Sequence, residues 1–222
     1  MKDNNLTKLY KSRFTIAEEN IKKNVWKILT KFFFQKYLSN DASVLDVACG
    51  NGEFINYINA KNKYAVDLNP ESRFFLHQNI TLINEDIFKA IKILLKKKLK
   101  FNLIFCSNFL EHLSKKEDLV TLLNSLKNIL ADDGIIIIMG PNYKYSYKNY
   151  WDFFDHHIPL TDQSLIELLD LTGYKIIEKY PKFLPFSTKS LLPKNKIFIY
   201  IYLKIKLLWF FFGKQFLFVV TK

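Results

Sequence analysis

Short runs of apolar residues recur along the chain, and polar or turn-forming residues separate them. The run at residues 135–139 is the clearest, because an unbroken β-branched segment is typical of a central strand that is buried on both faces. The pattern predicts strands at residues 44–48, 64–67, 80–83, 101–106, 135–139, 174–180 and 215–220.

Segments with helical periodicity lie between these strands, and several begin at recognisable caps. Thr15-x-x-Glu18 and Ser114-x-x-Glu117 have the spacing of capping boxes, and Asn69, which precedes a proline, suits an N-cap. The predicted helices cover residues 15–38, 52–60, 69–77, 87–97, 114–130 and 161–171, the last ended by Gly173, and Asp133-Gly134 is predicted to form a turn.

Strands and helices alternate through most of the sequence, which predicts an α/β protein with a doubly wound, mostly parallel sheet. In such sheets, ligands bind in the crevice beyond the carboxyl ends of the strands. The segments that follow the strands are therefore the candidate site loops.

Residues 197–212 form a stretch of aromatic and aliphatic side chains that only Lys204 and Lys206 interrupt. It is shorter than the roughly 18–20 apolar residues that a membrane-spanning helix needs, and its length favours a helix over a strand. Two interpretations stay open. It is either an insertion packed on the sheet or in a dimer contact, or an interfacial element that touches lipid or a lipid-linked substrate.

The formal net charge of +12 raises the question of an anionic partner. Only Arg13 and Arg73 are arginines, and the other basic side chains are lysines. Arginine is the residue that makes bidentate contacts to phosphates and base edges. We therefore expect a solvated lysine-rich surface rather than specific nucleic-acid binding, with an anionic membrane or substrate surface as the alternative.

Cys49 and Cys106 are the only cysteines, and neither belongs to a C-x-x-C pair or has metal-ligand spacing. Residues 1–10 are polar and do not have the pattern of a signal peptide. Both features favour a cytoplasmic protein, with membrane association through residues 197–212 as an addition to that location.

The segment from Val44 to Gly52 combines a strand, a tight turn and the start of a predicted helix. Small residues in such a turn let a ligand approach the backbone, and the helix start offers free N–H groups. A dinucleotide-binding loop would need a third glycine where this chain has Ile55, and a P-loop would need a Lys-Ser or Lys-Thr pair. Asp46 would face a pyrophosphate unfavourably but would suit a cationic amino-acid group.

This segment resembles the first motif of the class I S-adenosylmethionine-dependent methyltransferases, usually D-x-G-x-G-x-G, with Ala48 in place of the first glycine. Further acids, Asp67 and Asp86, follow the second and third strands, and residues 101–112 resemble the family's fourth-strand motif. The resemblance implies a Rossmann-like sheet of seven strands with an antiparallel last strand, an enzyme, and S-adenosyl-L-methionine as the cofactor.

The resemblance also assigns parts of the cofactor to particular residues. Asp67 would bind both ribose hydroxyls, and Asp86 would accept from the adenine amino group. Ser107 and Asn108 would line the methionine and methyl end, and Arg13 would reach the cofactor carboxylate. The cofactor-binding residues expected on this basis are Asp46, Ala48, Cys49, Gly50, Gly52, Asp67, Leu68, Asp86, Ile87, Ser107, Asn108 and Arg13.

Simpler roles stay open for some of these residues. Asp86 could be the N-cap of the helix that follows it, and Arg13 could be a surface arginine. Glu111 and His112 could be a packed helix start with no chemical role.

Residues 141–160 follow the fifth strand and form a long, aromatic loop where acceptor contacts are expected. A sugar hydroxyl acceptor needs a general base, and a histidine suits that role near neutral pH. We predict His156 or His157 as the base, with Asp155 or Asp152 as its orienting partner. No metal is expected, because two adjacent histidines cannot easily chelate one ion and the sequence shows no third ligand.

One methyltransferase domain is predicted over residues 1–222, with a helical cap (1–40), a cofactor-binding core (41–140), an acceptor loop (141–160) and an aromatic insertion (181–213). The acceptor loop is similar to those of small-molecule methyltransferases of bacterial surface-glycan pathways. That similarity implies methyl transfer to an oxygen of a sugar-nucleotide or lipid-linked glycan. The alternatives are a nucleic-acid or protein methyltransferase, and a non-catalytic cofactor-binding or interaction protein.

Overall fold

The computed structural model describes residues 16–186 and 195–222, and each predicted strand overlaps an observed one. The strands are β1 (Ser43–Val47), β2 (Asn62–Val66), β3 (Ile80–Ile83), β4 (Phe101–Ser107), β5 (Leu130–Pro141), β6 (Lys175–Tyr180) and β7 (Gln215–Thr221). The helices are α1 (Ile16–Phe32), α2 (Ile87–Lys96), α3 (Lys116–Lys127), α4 (Tyr143–Tyr150), α5 (Asp162–Leu171), α6 (Lys196–Lys204) and α7 (Lys206–Phe212). Short 3₁₀ helices lie at Phe34–Tyr37, Pro70–Phe74 and Leu110–His112.

The strands form one sheet in the order β3-β2-β1-β4-β5-β7-β6, and β7 runs antiparallel to both of its neighbours. The prediction of a doubly wound, mostly parallel, seven-stranded sheet with an antiparallel last strand is therefore confirmed. The strand order reverses between β1 and β4, where Val47 pairs with Cys106. The loops after these two strands consequently open into the same crevice.

Each face of the sheet carries its own apolar layer, because successive residues of a strand point to opposite faces. On β4, Ile104 and Cys106 belong to the layer that contains α2, α3 and α5. Leu103 and Phe105 belong to the opposite layer, with α1, α6 and residues 49–58. The second layer borders the candidate site, since Phe105 is part of both.

The helix predicted at residues 52–60 is wrong, because this segment forms a series of turns. Two helical hydrogen bonds do form, from the Asn56 N–H to the Gly52 carbonyl at 3.0 Å and from the Ile58 N–H to the Phe54 carbonyl at 3.2 Å. The carbonyls of Ile55 and Asn56, however, accept from the Lys63 ammonium at 2.9 and 3.3 Å. The lysine thus uses the acceptors that would have continued the helix.

Two further local predictions are wrong. α3 begins at Lys116 with no side-chain cap, one residue later than a box at Ser114 requires. Asp133-Gly134 lies inside β5 instead of forming a turn. A register shift between β4 and β5 accommodates these extra residues without breaking the pairing.

Other predicted caps are present. Thr161 and Ser164 form a reciprocal capping box at the start of α5. Asn69 accepts from the Glu71 N–H, although the helix it starts is a single 3₁₀ segment that ends at Phe74. α1 ends at Phe32, and a separate 3₁₀ helix follows it. The helix predicted to continue to residue 38 is therefore interrupted after Phe32. Thr15 lies outside the described residues.

Residues 141–160 contain helix α4 and are therefore not the structureless loop that the sequence predicts. Asn142 caps α4 by accepting from the Lys144 N–H at 3.2 Å. The Tyr150 hydroxyl donates to the Ile158 carbonyl at 2.5 Å. This bond holds the segment after α4 against the end of that helix. It thereby fixes the position of the residues between Tyr150 and Ile158.

Residues 197–212 form helices, as the sequence favoured, but a break at Ile205 divides them into α6 and α7. The Trp209 indole donates to the Tyr202 carbonyl at 2.7 Å, and the Tyr202 hydroxyl donates to the Phe183 carbonyl at 2.7 Å. These bonds attach the helix pair to the domain. Among the residues that the structure describes, no helix is long and apolar enough to cross a membrane.

Candidate functional site

The turn after β1 is tight and is connected to the end of β2. Ala48, Gly50 and Gly52 all have positive φ, at 55°, 54° and 73°. The Gly50 N–H donates to Oδ2 of Asp67 at 2.7 Å, and the Cys49 N–H donates to the Val66 carbonyl at 3.0 Å. The turn and the Asp67 carboxylate therefore form one unit.

Gly52 has the strongest requirement for glycine in this turn. A Cβ at this residue would lie 2.5 Å from Cδ2 of Leu76 and 2.8 Å from Nδ2 of Asn56. Its φ of +73° would also strain any residue with a side chain.

Ala48 has the same left-handed conformation without being glycine, which costs about 1–2 kcal/mol. Replacement by glycine would remove that cost. The greater conformational entropy of the unfolded chain would, however, destabilise the folded protein by about 0.4–1 kcal/mol. We therefore expect Ala48→Gly to raise the free energy of unfolding by about 0.5–1 kcal/mol in urea titrations. Ala60→Gly, at a residue without positive φ, is the control and should lower it. Equal effects of the two changes would refute this account of the turn.

A group of carboxylates lies around the end of β1. Asp46 is 3% exposed, and its pKa is raised well above the usual value, first by burial and then by the Glu53 and Asp67 carboxylates. Burial also raises the pKa of Asp67, while the N–H groups of Asn69 and Gly50 oppose that shift. Glu53 pairs with Lys22 of α1 at 2.6 Å. This part of the site is thus suited to a cationic ligand.

Asp46→Asn is expected to remove a pH dependence of stability. The raised pKa means that the folded protein holds the Asp46 proton more tightly than the unfolded chain, whose aspartate pKa is about 4. Stability should therefore fall as pH rises from about 4 through the folded-state pKa. The variant should lack this loss and be more stable than the native protein at neutral pH.

Urea unfolding across a pH series measures this effect, with the exposed Asp170→Asn as the control. If the free energy of unfolding fell equally with pH in the native protein and in Asp46→Asn, the buried carboxyl would not be the source of the pH dependence.

The residues expected at the adenine end lie apart from the cavity lining. Asp86 caps α2 by accepting from the Phe88 N–H at 2.9 Å, which is the structural role that the sequence left open. Leu68 is 42% exposed, and Ile87, the first residue of α2, is buried. Asn84 donates to the Asp67 carbonyl at 2.8 Å, which links the ends of β2 and β3.

A cavity of about 600 Å³ extends from the turn after β1 across the ends of β4 and β5. Of the residues predicted from sequence, those that line it are Asp46, Ala48, Cys49, Gly50, Ser107, Asn108 and His156. Gly52, Asp67, Leu68, Asp86, Ile87, Asp155 and His157 are outside the lining, and Arg13 lies outside the described residues. The cavity thus joins the expected cofactor turn to one of the predicted histidines.

Polar side chains meet at the far end of this cavity. Glu111, His112 and His156 all line it, and one potential ligand atom from each lies within 4.8 Å of the others. Nδ1 of His112 lies 2.9 Å from the Asp155 carbonyl oxygen and 3.3 Å from Oδ2 of the same residue. His157 is exposed, and its N–H donates to the Glu111 carbonyl at 2.8 Å.

The sequence pointed to part of this cluster. It predicted His156 and Asp155, but it left Glu111 and His112 without a chemical role. Asp155 contacts His112 and so orients a histidine that the sequence did not propose as a base. The available signal was position, because Glu111-His112 follows β4 and His156 lies beyond β5, and the loops after adjacent parallel strands meet at one edge.

The sheet order, the glycine turn after β1 and the acids after β1 and β2 together define a protein with the fold of the S-adenosylmethionine-dependent methyltransferases. The chain belongs to the methyltransferase-domain family, whose model matches residues 17–179.

The chain is similar to one curated protein and to several solved structures. An uncharacterised protein of Methanocaldococcus jannaschii is 31% identical over 165 residues, and the match covers 72% of this chain and 65% of the relative's length. A methyltransferase structure from Archaeoglobus fulgidus has a TM-score of 0.65 at 22% identity and covers 90% of this chain and 94% of that one. One from Clostridium acetobutylicum has a TM-score of 0.61 at 19% identity, with coverages of 88% and 91%. At these identities, both structural matches show that the fold is shared.

Proposed function

We propose that this chain uses S-adenosylmethionine to methylate a hydroxyl oxygen of a small acceptor that has an apolar portion, such as a sugar-nucleotide or lipid-linked glycan precursor. The observation that carries the proposal is the single cavity that joins the glycine turn at Gly50 to the cluster of Glu111, His112 and His156. A cofactor and an acceptor bound beside these two groups of residues would share one cavity.

The residues present suit S-adenosylmethionine. Gly50 lines the cavity and has no atom closer than 3.6 Å to the place of a Cβ, so a ligand can approach the backbone there. The carboxylates of Asp46 and Glu53 line the cavity and would attract the cationic methionine end. Asp67, next to the turn, would bind the ribose, since a carboxylate has about four acceptor sites and the N–H groups of Gly50 and Asn69 occupy two.

Ser107 and Asn108, which end and follow β4, line the same cavity and would contact the group that is transferred. The bound cofactor supplies a methyl group activated by a sulfonium. The chain itself must align the acceptor, exclude water and receive the hydroxyl proton. The lining includes residues from the proposed helical cap, core, acceptor loop and aromatic insertion.

The cluster of Glu111, His112 and His156 is the part of the cavity that can prepare a hydroxyl for attack. His112 is oriented by Asp155, and a fixed imidazole is an efficient partner for a hydroxyl proton. The His156 ring is stacked on Phe153, with centroids 5.0 Å apart. We therefore assign acceptor activation to His112 and His156 rather than to the exposed His157.

The walls near this cluster support an acceptor with an apolar portion. Side chains of the helix pair α6–α7, including Phe198, Ile201 and Phe212, line the cavity. The same helices expose Leu207 and Phe211 on their outer surface, beside several lysines. A membrane-bound acceptor could reach the cavity along this surface, because apolar and basic side chains together favour contact with anionic lipid.

The test is methyl transfer from radiolabelled S-adenosylmethionine to a panel of sugar-nucleotides, lipid-linked sugars and phenols. We expect turnover with glycan precursors and a fall in kcat of about 100-fold or more for His112→Gln and His156→Gln. His77→Gln, at an exposed histidine, is the matched control. Turnover with phenols alone would refute the glycan acceptor.

A nucleic-acid or protein methyltransferase is the alternative function. The scarcity of arginine disfavours a nucleic-acid acceptor, because Arg13 and Arg73 are the only arginines for bidentate contacts to phosphates and base edges. RNA or DNA binding that weakens steeply with salt, together with methylation of that nucleic acid, would favour the alternative.

A further inference from the structure

We propose that Glu111, His112 and His156 bind one divalent transition-metal ion of the zinc type at the acceptor end of the cavity. Their potential ligand atoms lie within 4.8 Å of one another. A tetrahedral ion with bonds of about 2.0–2.2 Å needs ligand atoms about 3.5 Å apart, so side-chain shifts on the order of 1 Å would complete the site.

The surroundings of His112 are those of a metal-binding histidine. Its Nδ1 lies within hydrogen-bond distance of Asp155, at 2.9 Å from the carbonyl oxygen. A proton held on Nδ1 leaves the Nε2 lone pair for a metal ion, and metal-bound histidines usually have a carboxylate or carbonyl partner of this kind. Asp155 thus serves as a positioning residue for the ligand.

Glu111 supplies the negative charge that such a site needs. Its side chain is only 3% exposed, although it lines the cavity. A buried carboxylate is stable as an anion only with a strong partner, and coordination of a cation is one of the few arrangements that provide it. The Glu111 carbonyl accepts from the N–H groups of His157 and Ile158, at 2.8 and 3.1 Å. These bonds connect the backbone of Glu111 to the segment that carries His156.

The ligand set selects the type of ion. Two imidazoles and one carboxylate suit zinc and its neighbours, whereas magnesium prefers oxygen ligands and octahedral geometry. Three protein ligands leave a fourth position of a tetrahedral ion for another molecule. If the proposed function holds, the acceptor oxygen would take that position, because the ligands line the cavity. The two histidines would then act through the ion, which would lower the pKa of the bound hydroxyl so that its proton is lost to solvent, instead of accepting that proton themselves.

The sequence argued against a metal because His156 and His157 are adjacent. The structure brings a different set together: His157 is exposed, and two residues that follow β4 join His156. The objection from adjacent histidines therefore does not apply to this cluster.

The test is metal binding by untagged protein that has been freed of metal with a chelator. Zinc is titrated against a chromophoric competitor, and cobalt(II) is added separately so that its visible absorption reports the ligands. We expect one ion per chain and no competition from millimolar magnesium. His112→Gln, His156→Gln and Glu111→Gln should each weaken zinc binding more than 10-fold. Asp155→Asn should weaken it less than the loss of a ligand does, because it keeps the main-chain carbonyl at 2.9 Å from Nδ1 of His112 and removes only the carboxylate at 3.3 Å.

His157→Gln is the matched control, because it removes a neighbouring imidazole that lies outside the cluster. Circular dichroism and S-adenosylhomocysteine affinity establish that each variant is folded. Lack of zinc binding by folded native protein would overturn the proposal, as would an equal loss in His157→Gln and the cluster variants.

The metal site and the methyltransferase function fail in different ways. Full methyl transfer by metal-free protein would overturn the role of the ion in acceptor binding and would leave the proposed function intact. Zinc binding at the cluster without any S-adenosylhomocysteine binding would support the site and overturn the proposed function.

Discussion

Asp67→Ala is expected to weaken S-adenosylhomocysteine binding by about 100-fold or more. Each charge-assisted hydrogen bond to a ribose hydroxyl is worth about 1.5–3 kcal/mol, and 1.4 kcal/mol is a factor of about ten. The change would also release the Gly50 N–H from its 2.7 Å bond to the Asp67 carboxylate, which would loosen the turn after β1. Isothermal titration calorimetry measures the affinity directly.

Two further variants separate the ribose contact from general damage. Asp67→Asn keeps one acceptor oxygen and should bind with intermediate affinity. Asp41→Ala, at an exposed aspartate in the segment before β1, should bind like the native protein. Unchanged affinity in a folded Asp67→Ala variant would remove this residue from the cofactor site.

Phe34→Ala is expected to lower the free energy of unfolding by about 3–5 kcal/mol. Phe34 is 0% exposed and lies in the 3₁₀ helix that connects α1 to the sheet. Its ring packs against Phe54 at 5.7 Å and against Phe105 at 5.1 Å between centroids. Truncation would leave a cavity where α1, the turn segment and β4 meet, and urea unfolding measures the loss.

Phe74→Ala provides the comparison, because Phe74 is 73% exposed. A surface change of this kind usually alters stability by no more than about 0.5 kcal/mol. A loss of less than about 1 kcal/mol for Phe34→Ala would mean that the surrounding rings collapse into the space that the truncation leaves.

The central strands β4, β5 and β7 could be predicted from the sequence because they are largely buried on both faces and therefore read as nearly continuous apolar runs. The Ile135–Met139 run illustrates this, since it lies within β5 with neighbouring strands on both sides. The glycine turn could also be predicted, because Asp46 and the small residues that form the turn are neighbours in the sequence.

Features that depend on distant residues could not be predicted. Residues 52–60 have a helical pattern, but the Lys63 ammonium takes two of their carbonyls. The meeting of Glu111 with His156 depends on how the segment after α4 returns, which the Tyr150 hydroxyl fixes through Ile158. Local propensity contains no information about either contact.

The position of β7 also affects when the protein can fold during its synthesis. β6 pairs with β7, and β7 lies between β5 and β6. Until residues 215–221 have left the ribosome, β5 therefore exposes an unpaired edge and β6 has no partner. Such edges are prone to pair with other chains, so the nascent protein should be most vulnerable to aggregation just before these residues emerge.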